Sequence, residues 1–274
     1  MDQEKGPDVA ENTIAQPAGV RSETLDAGEG RTIHLQRGGD GPPLLFLHGA
    51  GAAGQWSAAH VALAERFEVI ATEHPGFGRS SLLEELKDMD DLVYFYLDLL
   101  DRLELERVVL VGESLGGWLA AEIAAHSPHR VERLVLIGAP GLRVPEAPPF
   151  DVFLATPQEL GAALFHDPAI AAQMFGGEPT IEMIVGAYAE ASAFARYGFS
   201  PFLNNPKLER RLGRITAPTL LLWADDDRIV GRTHGERYAA GIPDARLQVI
   251  EDCGHAVTAE RPEAAAAAVL AFTA

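Results

Sequence analysis

The run Val108-Val109-Leu110-Val111 leads without a break into Gly112-Glu113-Ser114-Leu115-Gly116-Gly117, and a helix-forming stretch, Leu115–His126, follows at once. An unbroken aliphatic run of this length reads as a strand buried on both faces. A serine on a sharp turn between strand and helix needs neighbours without side chains, because the strained backbone presses together the residues two before and two after it. Gly112 and Gly116 stand at those positions. A helix beginning at Leu115 aims unpaired N–H groups and the positive end of its dipole at the turn, where an oxyanion would form. Ser114 is therefore the candidate nucleophile, and the Leu115 N–H the first candidate oxyanion donor.

Outward from this turn, short apolar runs alternate with helical patterns. Pro43–Leu47, Glu68–Ala71, Val108–Val111, Leu134–Ile137, Thr219–Trp223 and Leu247–Ile250 read as strands. Ser22–Leu25 and Thr32–Gln36 form an opening hairpin through Gly28-Glu29-Gly30. Ser57–Arg66, Met89–Leu103, Leu115–His126, Arg232–Ala240 and Pro262–Phe272 read as helices. In the second of these, Leu92, Phe95, Leu99 and Leu103 recur at helical spacing and give one buried face. Strand–helix alternation implies an α/β fold with a mostly parallel, doubly wound sheet.

A serine at its free pKa is a poor nucleophile, so a base must reach it and an acid must hold that base in one tautomer. Among nine histidines, His255 follows the Leu247–Ile250 strand in Asp252-Cys253-Gly254-His255. Loops at the carboxyl ends of parallel strands are where open α/β sheets build their sites. His34, His60, His126, His129, His166 and His234 fall on the hairpin, loops or helix surfaces, where solvation is the ordinary expectation. The acid should follow the Thr219–Trp223 strand, where Asp225, Asp226 and Asp227 stand. The chain must turn before an acid can point back to the base, which favours Asp227 and leaves the other two as solvated turn residues. The small residues His48-Gly49-Ala50-Gly51-Ala52-Ala53-Gly54 after the Pro43–Leu47 strand supply a second oxyanion donor, Ala50 N–H, with Gly51 as its substitute. His48 and Glu113 are read as structural.

Residues 142–212 break the rhythm, with helix signals and no strand between them. Thr156-Pro157-Gln158-Glu159 is a capping box with proline at the first helical position, and Pro179-Thr180 opens a helix towards Tyr197. This segment is expected to be a helical lid inserted into a core formed by 21–141 and 213–274. It holds seven of the twelve phenylalanines, which serve either as a pocket roof or as the lid's own core. Residues 1–20 are acidic and lack a basic start and an apolar centre, so they read as a disordered tail and not as a signal peptide.

Composition narrows the partners. With 22 Lys and Arg against 40 Asp and Glu, the formal charge is −18, a field that repels phosphate backbones and anionic lipid surfaces. A small-molecule substrate, with no nucleic acid and no membrane partner, is the expectation. The lone Cys253 cannot form an internal disulfide, which points to the cytoplasm. Oligomeric state has no signature in the sequence.

Together these features resemble the α/β-hydrolase family, in its serine-nucleophile branch with a helical lid. The likeness rests on Leu47-His48-Gly49 and its glycine-rich loop, His74-Pro75-Gly76-Phe77-Gly78-Arg79-Ser80, the turn at Ser114, Leu221–Asp227, and Gly254-His255. Nucleophile, acid and base also come in the family's chain order. The family usually has aspartate where Glu73 or His74 stands, and glycine at Ala224. By this resemblance, Ser114 attacks a carbonyl, His255 moves the proton, Asp227 orients His255, and Leu115 and Ala50 N–H hold the oxyanion. No metal or organic cofactor is implied. The implied substrate is a small or medium apolar carboxylic ester or lactone. Serine at 114 argues against epoxide hydrolases and haloalkane dehalogenases, which carry aspartate there. The carbon–carbon hydrolases of ring-cleavage pathways share the Ser-x-Gly-Gly turn but typically place tryptophan after the base, where this chain has Ala256 and Val257. They remain the alternative, beside acyltransferases, perhydrolases and a non-catalytic ligand receptor on the same fold.

Overall fold

The computed structural model describes residues 19–274. The tail expected over 1–20 therefore lies, but for its last two residues, outside the described residues. In chain order come β1 (Arg21–Asp26), β2 (Thr32–Gly38), β3 (Pro43–Leu47), α1 (Ala58–Ala64), β4 (Glu68–Thr72), α2 (Met89–Arg102), β5 (Val108–Glu113), α3 (Leu115–His126) and β6 (Val131–Ile137). Then follow α4 (Pro157–Leu164), α5 (Pro168–Phe175), α6 (Ile181–Gly198), β7 (Thr219–Ala224), α7 (Thr233–Gly241), β8 (Ala245–Ile250), α8 (Val257–Glu260) and α9 (Pro262–Phe272).

The strands form one eight-stranded sheet in the order β1-β2-β4-β3-β5-β6-β7-β8. β1 pairs antiparallel with β2 and β2 with β4; all other neighbours are parallel. The apolar runs explain the layering. On β3, Leu45 and Leu47 join a cluster with α2 and α3, while Leu44 and Phe46 join a second cluster with α1 and α9. The same alternation sends Leu134, Leu136, Leu221 and Trp223 to the first cluster and Val135, Ile137, Leu220 and Leu222 to the second. Both faces are thus covered, which is why these strands read as continuous apolar runs.

Between β6 and β7 the chain makes helices, turns and one isolated bridge, Gly141 to Asn204, but no strand. Thr156 caps α4 in the expected box with Glu159, and Thr180 caps α6. α5 was not anticipated; its signal is Asp167-Pro168, where Asp167 caps and Pro168 takes the first helical position. Phe153 packs against Phe194, Phe199 and Phe202, with ring centroids 4.9 to 6.1 Å apart, so these rings form an internal cluster of the segment.

Two histidines correct the expectation of solvation. His60 and His234 are buried because they lie on the core-facing sides of α1 and α7. His60 accepts the Ser57 N–H and packs between Phe46 and Trp56, and His234 Nε2 donates to the Ala147 carbonyl. Among the described residues no helix is long and apolar enough to cross a membrane.

Candidate active site

β5 delivers Ser114 at the carboxyl edge of the sheet with φ 52°, a left-handed conformation that costs a non-glycine residue of order 1–3 kcal/mol. The flanking glycines are obligatory. A Cβ on Gly112 would sit 2.2 Å from the Gly116 carbonyl oxygen, and one on Gly116 would sit 2.1 Å from that of Leu47. The turn is closed by the Ser114 N–H donating to the Ile137 carbonyl at 2.8 Å.

His255 and Asp227 converge on this serine from the loops after β8 and β7. Ser114 Oγ lies 2.9 Å from His255 Nε2, and His255 Nδ1 lies 2.8 and 2.9 Å from the two Asp227 carboxylate oxygens. A carboxylate only accepts, so Nδ1 carries the proton and leaves Nε2 free to accept from Ser114. Asp227 Oδ1 also accepts the N–H groups of Ile229 and Val230 at 3.0 and 2.8 Å, which fixes the carboxylate. Burial opposes charge on His255, but the Asp227 carboxylate, by its charge and its hydrogen bond, together with Glu113, outweighs it. The net effect raises the imidazole pKa above 6.5. Gly138, which the sequence reading did not single out, presses on the pair; a Cβ there would approach Asp227 Oδ2 and the His255 ring to 3.2 Å.

The other two aspartates are not idle turn residues. Asp225 accepts the N–H groups of Asp252 and Cys253 at 3.1 and 3.0 Å and so anchors the loop that bears His255. Asp226 faces His166 at 2.9 Å and pairs with Arg228. Neither reaches His255.

Around the proposed oxyanion donors the loops are pinned by polar bonds. Leu115 opens α3, whose first N–H groups have no intrahelical acceptor. Ala50 is exposed in a turn closed by the Ala52 N–H donating to the Gly49 carbonyl. Gly51, its substitute, directs its N–H at the Glu190 carboxylate of α6, which also accepts the Gly78 N–H at 3.3 Å. Burial raises the Glu190 pKa, and nearby Glu73 adds to the effect.

His48 Nδ1 donates to the Gly49 carbonyl at 2.7 Å, while its Nε2 accepts the His74 N–H at 3.0 Å. His74 Nε2 in turn donates to the His48 carbonyl, and the Tyr96 hydroxyl donates to His74 Nδ1. Burial pushes the His48 pKa down to about 4, so it holds the loop as a neutral ring. Glu73 binds the guanidinium and the backbone N–H of Arg79, which ties this turn. Glu113 turns away from the site and accepts the N–H and hydroxyl of Thr258. Among the described residues no group of three or more His, Cys, Asp and Glu side chains is placed to hold a metal ion.

With this geometry in hand, known proteins give a consistent answer. The alpha/beta hydrolase family profile matches residues 44–268. A 2-hydroxy-6-oxononadienedioate/2-hydroxy-6-oxononatrienedioate hydrolase from Comamonas testosteroni is 31% identical over 248 residues, 81% of this chain and 84% of that protein. A 2-hydroxy-6-oxo-6-phenylhexa-2,4-dienoate hydrolase from the same organism is 30% identical over 244 residues, with the same shares. Among solved structures, a bacterial membrane phospholipase A superposes with a TM-score of 0.78 at 28% identity, covering 93% of this chain and 86% of its own. The 2-hydroxy-6-oxo-6-phenylhexa-2,4-dienoate hydrolase of Rhodococcus gives 0.75 at 25% identity, covering 93% and 98%. The profile match over most of the chain, and a relative 31% identical over 81% of it, make this protein a member of the alpha/beta hydrolase family.

Proposed function

We propose that the protein is a serine hydrolase that cleaves a small or medium apolar carboxylic ester or lactone through an acyl-enzyme on Ser114. The observation that carries this reading is the unbroken hydrogen-bond chain from Ser114 Oγ through His255 to Asp227. Ser114 Oγ attacks the carbonyl carbon while His255 Nε2 takes its proton. The oxyanion is held by the N–H groups of Leu115 and Ala50. Collapse expels the alcohol, protonated by His255, and leaves the acyl group on Ser114. Water, deprotonated by His255, attacks the acyl carbon and releases the acid and free Ser114. Asp227 holds the tautomer throughout.

Residues 142–212 act as the lid over the reacting carbonyl, and a single small-molecule substrate is the protein's partner. The free buried Cys253 and the acidic balance support a cytoplasmic location away from nucleic acid and membranes. Two observations support an uncharged substrate over a dienoate. Ala256 follows the base in place of tryptophan and gives its N–H to the Leu164 carbonyl, and the Glu190 carboxylate lies beside the glycine loop. The named activities of the Comamonas and Rhodococcus relatives favour a second reading, hydrolysis of a carbon–carbon bond in a ring-cleavage product.

A fluorophosphonate should label Ser114, and Ser114→Ala should lose roughly four or more orders of magnitude in kcat. Comparison of kcat/KM for chromogenic esters and a ring-cleavage dienone separates the two readings. A dienone preference of about a hundredfold, some 2.7 kcal/mol in transition-state binding, would reverse their order.

A further inference from the structure

The loop that bears His255 is fastened to the inserted segment by a buried carboxylate outside the hydrogen-bond chain. Glu260, at the end of α8, is 5% exposed, and its carboxylate accepts three backbone N–H groups: Gly254 at 2.6 Å, His166 at 3.1 Å and Asp167 at 2.7 Å. Gly254 is the residue before the base; His166 and Asp167 link α4 to α5. The backbones touch. A Cβ on Gly254 would sit 2.5 Å from the Leu164 carbonyl oxygen and 2.6 Å from the His166 nitrogen. The Ala256 N–H donates to that same Leu164 carbonyl at 3.1 Å. His255 is thus tied to one short segment on both sides, directly through Ala256 and by way of Glu260 through Gly254. Arg228, one residue past Asp227, reaches the same segment at the Ala162 carbonyl, 2.8 Å away.

We infer that Glu260 is a positioning residue for His255, and that residues 162–167 form a fixed strut of the active site and not a moving part of the lid. The inference rests on the proposed role of His255 as base. Its physical content is orientational. The Ser114–His255 and His255–Asp227 bonds run in line through one ring, so a shift of the loop lengthens one or both. Misplacement of a reacting group by about 1 Å can cost a hundredfold in rate. The charges that raise the His255 pKa are those of Asp227 and Glu113, while the Glu260 carboxylate meets backbone N–H groups.

The test is Glu260→Gln, which keeps the side chain's size but sets an amide N–H₂ against backbone donors. Expected are a kcat lower by about tenfold to a hundredfold, a KM within about threefold, and a weakened downfield proton signal from the His255 Nδ1–H bound to Asp227. The acid limb of kcat/KM should also move to lower pH, as the pair with Asp227 loosens. A folded variant whose kcat, pH profile and Nδ1–H signal match the parent, with only its Tm reduced, would overturn the inference. Should the glutamine variant not fold, Glu260→Asp, one methylene short, carries the same test with the same expected and contrary outcomes. Ser114→Ala separates the levels: if it kept full turnover, the reading of the site would fail, while the Nδ1–H signal, which needs no turnover, would still decide the strut.

Discussion

The turn from β5 to α3 and the opening half of α6 sit in one chain under opposite conditions. Around Ser114, every residue of β5 is buried, and α3 is buried from Leu115 to Ala125. On α6, Ile181 and Tyr188 expose 76% and 78% of their surface, and Ile184 and Val185 are also open. The farther half of α6 packs Ala193 and Tyr197 into the core, with Tyr197 stacked on Phe77, and adds polar ties: Tyr197 donates to the Pro75 carbonyl, Arg196 to the Glu84 and Leu86 carbonyls, and Glu190 accepts from Gly78. Apolar packing on both sheet faces fixes where Ser114 stands, whereas the opening turns of α6 leave their apolar side chains to solvent and only its farther turns join the core.

Breaking the buried side of the comparison at its acid should have the largest effect. Asp227→Asn should keep the fold and lower kcat by up to ~10⁴ through the wrong imidazole tautomer. Asp226→Asn, at the exposed joint with His166, should lower it less than about tenfold, since Asp226 does not reach the base. Steady-state kinetics on both variants decides; the reverse ranking would shift the acid by one residue.

Stability should divide the two regions next. Trp118, 2% exposed on α3, belongs to the larger core cluster, and Trp118→Ala should cost about 3–5 kcal/mol. Tyr188→Ala, at 78% exposure, should stay within about 0.5 kcal/mol. Urea unfolding of both would expose a uniform packing of the molecule if the two losses were alike.

The smallest effect concerns two histidine–aspartate pairs. In His255–Asp227 the side chains are 3% and 0% exposed; in His166–Asp226 they are 40% and 29% exposed. Both imidazoles have raised pKa values, His166 mainly through its hydrogen bond to Asp226. A base must be neutral, so kcat/KM should fall as pH drops through a midpoint above 6.5. The same shift makes protonated His255 favour the folded state below about pH 6.5, a contribution lost as pH rises through its folded pKa. Raising salt from low to about 1 M should draw the His166 pKa back towards its ordinary value and leave the kcat/KM midpoint in place, because only the exposed pair is screened. NMR titration of His166 beside pH–rate profiles reads both; a midpoint that moved with salt as far as His166 would show an open active site.

What could be read from the sequence follows the same division. The meeting of Ser114, Asp227 and His255 was legible because strand, turn and helix signals are local, and a glycine two residues either side of a serine has one dominant physical cause. The central strands β3, β5 and β7 were legible because burial on both faces leaves their middles wholly apolar. The burial of His60 and His234 was not, since a lone histidine on a short helix carries no mark of which face meets the core. Nor was Glu260: its three partners are backbone groups, two of them more than ninety residues away at His166 and Asp167, and any residue type supplies a backbone N–H. The tie of Glu73 to Arg79 was not legible either, since an acid and an arginine six residues apart in a loop carry no mark of their pairing.

The left-handed backbone of Ser114 has a consequence for how this sequence can drift. The strained φ of 52° costs a serine of order 1–3 kcal/mol, whereas a glycine would meet it freely and lose only about 0.5–1 kcal/mol in chain entropy. The balance makes glycine the more stable occupant of the position. On the proposed chemistry, serine holds this position against the pull of stability, and a glycine there would leave a firmer and inert fold.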